Sequence, residues 1–293
     1  MAKLVIRKGE EPRHPQPTRR IVISKGPSAV AEQISDGRYR IDRVIGEGGS
    51  GRVFLARDML LDMDVAIKSL NPSLVRDKAA IEALKSETRI CLGLVHPNII
   101  RIYNLEKRGP TYLLIMEYLK GETLQAMLSR HPGGLPADFV RQVIDISADA
   151  LAYAHRHGVI HKDVKPGNIF VTDDDVLKVI DFGIASVAGA GGASGEFVVG
   201  TPEYMSPEQL RGDALTPASD TYSLAVLAHM LLTGRTLHPA DATINDMAFS
   251  PHPPIDDVAE PVRAVLEQAT AFDPGERHAS IAAFGSAFHD ATA

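Results

Sequence analysis

The chain has little of what several other protein classes depend on. Its single cysteine, Cys91, excludes an internal disulfide framework and a zinc site built from cysteines, and it favours a reducing compartment. No stretch approaches the roughly 18 consecutive apolar residues that a membrane-spanning helix needs. The N-terminus carries charges where a signal peptide would need an apolar core. These absences predict a cytoplasmic protein without a transmembrane segment.

Acidic side chains outnumber basic ones outside the N-terminus. The net charge of −6 argues against electrostatic binding of nucleic acid by the protein as a whole. Residues 1–26 nevertheless carry seven basic and two acidic side chains, and prolines interrupt this stretch at Pro12, Pro15 and Pro17. We therefore expect residues 1–36 to be a separate basic extension. It is either a solvated tail or a segment that binds an acidic partner or a membrane surface.

The rest of the chain is long enough for two lobes of one folding unit. A β-rich part with one helix comes first and a mostly helical part follows, so we predict an α+β fold with a cleft between two lobes. The predicted strands are Tyr39–Ile45, Arg52–Asp58, Asp64–Leu70, Ile99–Glu106, Thr111–Glu117, Ile169–Thr172 and Leu177–Ile180. The predicted helices are Lys78–Leu94, Phe139–His157, Ser219–Leu232, Pro261–Ala271 and Ser280–His289.

A glycine-rich segment, Gly46-Glu47-Gly48-Gly49-Ser50-Gly51, joins the first two predicted strands. A dinucleotide-binding loop would be followed by a helix, and a Walker loop by lysine and then serine or threonine. Here the strand-like segment from Arg52 to Ala56 follows instead. A flexible turn and a hairpin that covers phosphates both remain open, since residues without Cβ let backbone N–H groups approach phosphate oxygens closely.

A lysine, Lys68, lies inside the apolar strand segment Val65-Ala66-Ile67-Lys68. A buried charge needs a partner of opposite charge, although a lysine on an edge strand could also extend to the surface. The glycine-rich segment upstream favours a contact between Lys68 and phosphate. Glu87, in the helix that follows, is a candidate ion-pair partner for Lys68.

The strongest motif is His161-Lys162-Asp163-Val164-Lys165-Pro166-Gly167-Asn168, followed thirteen residues later by Asp181-Phe182-Gly183. Phosphoryl transfer requires a group that orients the attacking hydroxyl, positive charge near the moving phosphoryl group and oxygen ligands for magnesium. Asp163, Lys165, Asn168 and Asp181 supply these groups. The four motifs in this order predict a phosphotransferase.

On these motifs the sequence resembles the eukaryotic-type (Hanks-type) protein kinases, in particular their bacterial serine/threonine branch, from about Tyr39 to Phe288. The resemblance implies a bilobal protein kinase fold over residues 37–290, with an N-lobe at about 37–116, a hinge at about 117–121 and a C-lobe at about 122–290. It also implies ATP and Mg²⁺, with Mn²⁺ as an alternative metal, and protein substrates.

The resemblance also implies individual roles. Asp163 is the catalytic base, Lys165 contacts the γ-phosphate, Lys68 contacts the α- and β-phosphates and pairs with Glu87, and Asn168 and Asp181 bind the metal. The residues implied to surround ATP are Ile45, Gly46, Glu47, Gly48, Gly49, Ser50, Gly51, Arg52, Val53, Ala66, Lys68, Met116, Glu117, Leu119 and Phe170. Ile102, Cys91, Phe182 and His161 resemble the regulatory spine.

The segment from Gly200 to Glu208 resembles the substrate-docking region of these kinases. By resemblance, Glu208 pairs with Arg277, and Asp220 supports the backbone of the catalytic loop. Lys165 and Thr201 follow the pattern of the serine/threonine branch rather than that of tyrosine kinases. Phosphotransferases of similar fold that act on small molecules lack this docking segment, so protein substrates are favoured over antibiotics.

One departure from the family pattern is Lys162, which stands where arginine usually precedes the catalytic aspartate. That arginine often binds a phosphate on the activation loop through two contacts, which lysine cannot reproduce. Ser186 and Ser194 are the candidate phosphorylation sites, and we expect activity to depend only weakly on them. A pseudokinase that binds ATP as a scaffold is the main alternative, but Lys68, Asp163, Asn168 and Asp181 all disfavour it.

Overall fold

A computed structural model describes residues 37–75, 77–182 and 201–293. The predicted extension, residues 1–36, lies outside the described residues, as do Gly183, Ser186, Ser194 and Gly200. What the sequence predicts for these positions stays a prediction.

The N-terminal part is an antiparallel five-stranded sheet with the order β1-β2-β3-β5-β4 and one helix, α1. Side chains alternate between the two faces of each strand. Val65 and Ile67 therefore enter a small core on one face, whereas Ala66 and Lys68 project from the other. The elements are β1 (Tyr39–Gly48), β2 (Gly51–Asp58), β3 (Met63–Leu70), α1 (Lys78–Leu92), β4 (Ile102–Arg108) and β5 (Thr111–Glu117).

The C-terminal part is mostly helical and holds most of the larger core, which continues into the N-terminal part through residues such as Leu70, Leu84 and Leu114. Helix α5 lies at its centre and is buried on nearly all sides, even at the polar residues Ser219 and Asp220. The elements are β6 (Gly121–Thr123), α2 (Leu124–Arg130), α3 (Ala137–Arg156), β7 (Ile169–Thr172), β8 (Leu177–Val179), α4 (Pro207–Arg211), α5 (Pro217–Thr233), α6 (Ile244–Phe249), α7 (Glu260–Ala269) and α8 (Ile281–Thr292).

The predicted α+β, bilobal architecture is confirmed, and the differences are local. Helix α1 ends at Leu92 instead of Leu94, where Gly93 donates to carbonyls of the last turn. Strand β4 begins at Ile102 because Ile99 forms a separate bridge with Val179. Helices α2, α4 and α6 were not predicted, since each is too short to show a helical period. No helix in the described part of the chain is long and apolar enough to cross a membrane.

Candidate active site

The loop between α3 and β7 holds three of the predicted site residues, and two of them contact the third, Asp163. Asn168 Nδ2 donates to Asp163 Oδ2 at 2.8 Å and to the Asp163 carbonyl oxygen at 2.7 Å. Lys165 Nζ lies 2.9 Å from the same Asp163 Oδ2. The Asp163 carboxylate is therefore fixed by one amide and one ammonium group, and it remains partly exposed to an incoming hydroxyl.

The backbone of this loop is attached to helix α5 through Asp220, as predicted. The Asp220 carboxylate accepts from the backbone N–H groups of His161 at 2.7 Å and Lys162 at 2.9 Å, and it also contacts His155 Nε2 at 2.7 Å. Lys162 adopts φ +67°, a left-handed conformation that is uncommon outside glycine. Such backbone conformations persist only where surrounding contacts enforce them, and Asp220 supplies that constraint here.

His161 links the catalytic loop to the segment that contains Asp181. Its Nδ1 accepts from the backbone N–H of Asp163 at 3.2 Å, and its Nε2 lies 3.0 Å from the carbonyl oxygen of Ile180. This pattern fits the neutral tautomer with the proton on Nε2. The ring also packs on Phe182, with 4.6 Å between ring centroids. The four residues assigned to the spine by resemblance are all buried: Cys91, Ile102, His161 and Phe182.

The charged pairs of the cleft differ from the expected ones. Lys68 Nζ lies 2.9 Å from Asp181 Oδ2, and its side chain is only 6% exposed. Glu87 Oε1 accepts from Lys162 Nζ at 2.8 Å. Among the described residues Glu87 therefore pairs with Lys162, and the predicted Lys68–Glu87 pair is absent from this structure. The reason lies in the position of α1, which brings Glu87 to the catalytic loop.

The glycine-rich segment forms the tight hairpin between β1 and β2. Gly51 has φ +142°, and a Cβ there would lie 2.1 Å from the carbonyl oxygen of Ser69, so this position requires glycine. Asn71 binds the hairpin tip through its side chain, which donates to the Gly49 carbonyl oxygen at 3.2 Å, and through its backbone N–H. The Arg52 side chain meets Glu47 across the hairpin at 2.6 Å.

The residues implied to surround ATP outside the glycine-rich segment are spread over strands of both lobes and the segment between them. Ala66 and Met116 are opposite each other in the pairing of β3 with β5, and both are buried. The Glu117 carboxylate accepts from the backbone N–H of Arg101 at 2.7 Å and pairs with Lys178 at 2.9 Å. Of the remaining assigned residues, Ile45 lies on β1, Val53 on β2, Leu119 between β5 and β6 and Phe170 on β7.

Beside Met116 is a small cavity of about 20 Å³ that extends to Asp181. Its walls come from both lobes and are apolar apart from one ion pair: Lys68, Leu70, Ile100, Ile102, Leu114, Met116, Asp181 and Phe182. The cavity shows that Lys68 reaches Asp181 along an apolar wall, where an unpaired ammonium group would be costly.

The residues predicted to bind a divalent cation fit that role. Asn168 uses its amide nitrogen on Asp163, which leaves its amide oxygen for a cation. Asp181, at φ +60°, supplies a carboxylate. In the described ranges there is no group of three or more His, Cys, Asp or Glu side chains suited to holding a metal. One carboxylate and one amide match a cation that takes its other ligands from water and phosphate oxygens, as Mg²⁺ commonly does.

A buried ion pair attaches the predicted docking segment to the C-terminal core. Arg277 contacts both carboxylate oxygens of Glu208, at 2.8 and 2.9 Å, and the Ser219 hydroxyl donates to Glu208 at 2.8 Å. Burial alone would raise the pKa of Glu208, but the hydrogen bonds and charge of Arg277 lower it to about 2. The pairing predicted from the motif is therefore present.

Next to this segment is an open depression of about 300 Å³. Its rim includes Thr201, Glu203 and Tyr204 of the docking segment, and its other residues come from α2, the turn after it and the end of α5: Gln125, Leu128, Ser129, His131, Pro132, Met230 and Gly234.

Sequence reasoning missed two contacts that position the site. Gln209 Nε2 donates to the Lys162 carbonyl oxygen at 2.6 Å, which connects α4 to the catalytic loop. His155 Nε2 lies 2.7 Å from Asp220 Oδ2, which connects α3 to the start of α5. The unusual Lys162 was a signal that its side chain has a different partner in this chain, but no pattern in the sequence identified that partner as Glu87.

Comparisons with known proteins show the family to which the chain is similar. The protein kinase domain family matches residues 39–287. The serine/threonine-protein kinase PknB of Mycolicibacterium smegmatis is 36% identical over 86% of this chain and 42% of its own length. The serine/threonine-protein kinase PrkC of Bacillus subtilis is 35% identical over 85% of this chain and 39% of its own length. This chain thus spans about two fifths of the length of these curated relatives.

Solved structures show the same likeness. A crystal structure of the kinase domain of Mycobacterium tuberculosis PknI superposes with a TM-score of 0.71 at 26% identity. The match covers 87% of this chain and 96% of that one. The family match over residues 39–287 shows that this chain belongs to the protein kinase domain family.

Proposed function

We propose that this chain transfers the γ-phosphoryl group of ATP to serine and threonine hydroxyls of proteins. The main supporting observation is that one oxygen of the Asp163 carboxylate, Oδ2, lies 2.9 Å from Lys165 Nζ and accepts from Asn168 Nδ2 at 2.8 Å. Family membership and the names of the bacterial relatives agree with this function.

In this proposal Asp163 orients the substrate hydroxyl and accepts its proton. The hydroxyl oxygen forms a bond to the γ-phosphorus, the bond between that phosphorus and the bridging oxygen of ADP breaks, and the proton stays on the Asp163 carboxylate. Lys165, already 2.9 Å from Asp163, provides positive charge beside the transferred group. Lys68 provides positive charge to the phosphates that remain on ADP.

Members of this family use ATP with a divalent cation, and we propose Mg²⁺, with Mn²⁺ as a functional substitute. Asn168 and Asp181 would hold it. When bound, such a cation neutralises charge on the phosphate oxygens. In this structure Lys68 Nζ lies 2.9 Å from one oxygen of the Asp181 carboxylate, Oδ2, so Oδ1 is the oxygen left for a cation.

Protein substrates are supported by the docking segment. The ion pair between Glu208 and Arg277 holds the segment that leads from Thr201, and the depression beside Thr201 and Glu203 is large enough for a side chain of a bound peptide. An enzyme that phosphorylates a small molecule would have no use for such a surface.

The test is phosphate transfer from γ-labelled ATP to a generic basic protein, in Mg²⁺ and in Mn²⁺, with acid hydrolysis to identify the labelled residue. We expect label on serine or threonine. Asp163→Asn should lower the rate by at least about a hundredfold, since it removes the general base. Asp174→Asn is the matched control, because Asp174 is exposed in the turn between β7 and β8.

If ATP binds but neither the wild-type chain nor the Asp174→Asn control transfers label, the chain is a pseudokinase and the proposal fails. Label on tyrosine alone would refute the serine/threonine assignment while retaining the kinase reaction.

A further inference from the structure

The peptide unit that joins Lys162 to Asp163 is held at both of its polar ends by side chains. Its carbonyl oxygen accepts from Gln209 Nε2 at 2.6 Å, and its N–H donates to His161 Nδ1 at 3.2 Å. A carbonyl oxygen can only accept, so the amide nitrogen of Gln209 is the atom that faces it. Because this peptide unit leads directly into Asp163, its orientation helps to set the direction in which the Asp163 carboxylate extends.

Lys162 needs such support because its backbone lies in the left-handed region, at φ +67°. A residue other than glycine rarely adopts this conformation, and it persists only where neighbouring contacts enforce it. On the N-terminal side, the Asp220 carboxylate accepts from the Lys162 N–H at 2.9 Å. On the C-terminal side, Gln209 holds the Lys162 carbonyl oxygen. The two contacts together oppose rotation of the peptide units on either side of Lys162.

Gln209 itself projects from a well-anchored part of the backbone in α4. The residue before it, Glu208, is bound by both terminal nitrogens of Arg277 at 2.8 and 2.9 Å and by the Ser219 hydroxyl at 2.8 Å. The Gln209 carbonyl oxygen accepts from the backbone N–H of Gly212, the residue that ends the helix. The side-chain amide of Gln209 is therefore directed at the catalytic loop from a fixed place.

The contact from Gln209 has a different origin from the other contacts of this loop. Asp220 belongs to α5, whereas His161 and Asn168 belong to the loop itself. Gln209 belongs to α4 and directly follows the predicted docking segment, which ends at Glu208. It therefore connects the residue before Asp163 to the surface on which a protein substrate would lie.

From these contacts we infer that Gln209 is a positioning residue for the proposed phosphoryl transfer, which fixes the peptide unit before Asp163 and so aligns its carboxylate with a hydroxyl bound at the docking segment. The inference rests on the proposed function for the role of Asp163 as the base. Gln209 is not among the residues implied to surround ATP, and Glu208 anchors the docking segment through its own side chain. Loss of the Gln209 amide should therefore lower kcat and leave the KM values for ATP and for the protein substrate nearly unchanged.

Steady-state transfer from γ-labelled ATP to a generic basic protein gives kcat and both KM values for Gln209→Leu and Gln209→Glu. One hydrogen bond changes an equilibrium constant by about two- to twelvefold, so we expect kcat to fall about three- to tenfold in Gln209→Leu. Gln209→Glu keeps the shape of the side chain, but at about pH 8 its carboxylate has no proton to donate, so kcat should fall at least as far. A wild-type kcat in either variant, or a loss that appears mainly in a KM, would overturn the inference.

Gln142→Leu is the matched control. The Gln142 side-chain amide also donates to a backbone carbonyl oxygen, that of Asp138 at 3.2 Å, but Gln142 is exposed on α3. Its kcat should equal that of the wild type. An equal fall of kcat in Gln142→Leu and Gln209→Leu would refute a specific role for Gln209.

A positioning residue should act through the group that it positions. In an Asp163→Asn background the base is gone, so Gln209→Leu should lower the residual rate by less than about twofold, against about three- to tenfold in the wild-type background. A loss of the same size in both backgrounds would mean that Gln209 affects the rate independently of Asp163, and the inference would fail.

Amide hydrogen exchange tests the same contact without catalysis. Mass spectrometry of a peptide that covers residues 158–166 reports how often the backbone of the catalytic loop opens. Gln209→Leu should speed this exchange about three- to tenfold, and Gln142→Leu should leave it unchanged. A peptide from the buried helix α5 should keep its protection in both variants, which shows that the fold is intact.

These readouts separate the inference from the proposed function. If the wild type transfers no phosphate, the proposed function fails, and the exchange of residues 158–166 still decides whether Gln209 holds the loop. If phosphate is transferred but neither kcat nor exchange changes in Gln209→Leu, the function stands and the positioning role is refuted.

Discussion

Replacing Glu208 by glutamine should destabilise the protein by about 3 kcal/mol, because it removes the negative charge from a buried pair. The Arg277 side chain is fully buried and that of Glu208 is 5% exposed. The shift in the pKa of Glu208 from 4.5 to about 2 corresponds to roughly 3 kcal/mol of stabilisation. Removing one partner of a buried ion pair usually costs about 3–5 kcal/mol.

The lower end of that range applies to Glu208→Gln because Arg277 keeps other acceptors. Its guanidinium also donates to the carbonyl oxygens of Ala271 at 2.8 Å and Ala218 at 3.0 Å, and it lies over the Tyr222 ring. Arg277→Leu should cost more, about 4–5 kcal/mol, since it leaves the Glu208 carboxylate with the Ser219 hydroxyl as its remaining side-chain partner.

The pH dependence of folding stability provides an independent check that the Glu208–Arg277 pair is stabilising. A carboxylate whose pKa is lowered by folding contributes stability that is complete above its ordinary pKa and lost as the pH falls toward the lowered value. Wild-type Glu208 should therefore contribute about 3 kcal/mol at pH 7, about 1 kcal/mol at pH 3 and little below pH 2. The stability difference between wild type and Glu208→Gln should narrow over the same window.

Urea unfolding followed by circular dichroism at pH 7 and at pH 3 measures both quantities. Glu122→Gln is the control, since Glu122 also binds an arginine, Arg130, through both oxygens but at the surface, where loss of the pair should cost under about 1 kcal/mol. If Glu208→Gln costs no more than Glu122→Gln, or if its cost is the same at both pH values, the reasoning is wrong.

Two further predictions concern the N-terminal lobe. Cys91 should not react with a thiol reagent at pH 7.5 in the folded protein, because burial and then the nearby Glu87 charge raise its pKa to about 11; rapid labelling without urea would contradict this. Gly51→Ala should destabilise the protein by about 1–3 kcal/mol and weaken ATP binding, because its Cβ would strike the Ser69 carbonyl oxygen. Gly49→Ala, whose Cβ would meet nothing within 4 Å, should have little effect on stability, so equal urea midpoints for the two variants would refute the argument.

The parts of the site that could be predicted from sequence are those close together along the chain. Asp163, Lys165 and Asn168 fall within six residues, so one loop brings them into contact however the lobes are arranged. The pairing of Glu208 with Arg277 spans 69 residues and was predicted only through the family resemblance.

The partner of Glu87 could not be predicted in this way. Lys68 and Lys162 are both lysines, and the choice between them depends on how α1 is placed against the catalytic loop, which is a tertiary property. The short helices were missed for a different reason. Helix α4 has five residues and α6 has six, which is too few for an apolar repeat, and caps and neighbouring contacts hold them instead.

The start of helix α5 holds two segments of the proposed substrate-binding side of the site in place. Three consecutive residues serve two different segments: Ala218 and Ser219 bind the Arg277–Glu208 pair, and Asp220 binds the backbone of the catalytic loop. The docking segment and the loop that carries Asp163 are thus attached to the same turn of one buried helix. In the proposed reaction, movement between the lobes would change the distance between ATP and the substrate hydroxyl, but it would not change the position of Asp163 relative to the docking segment.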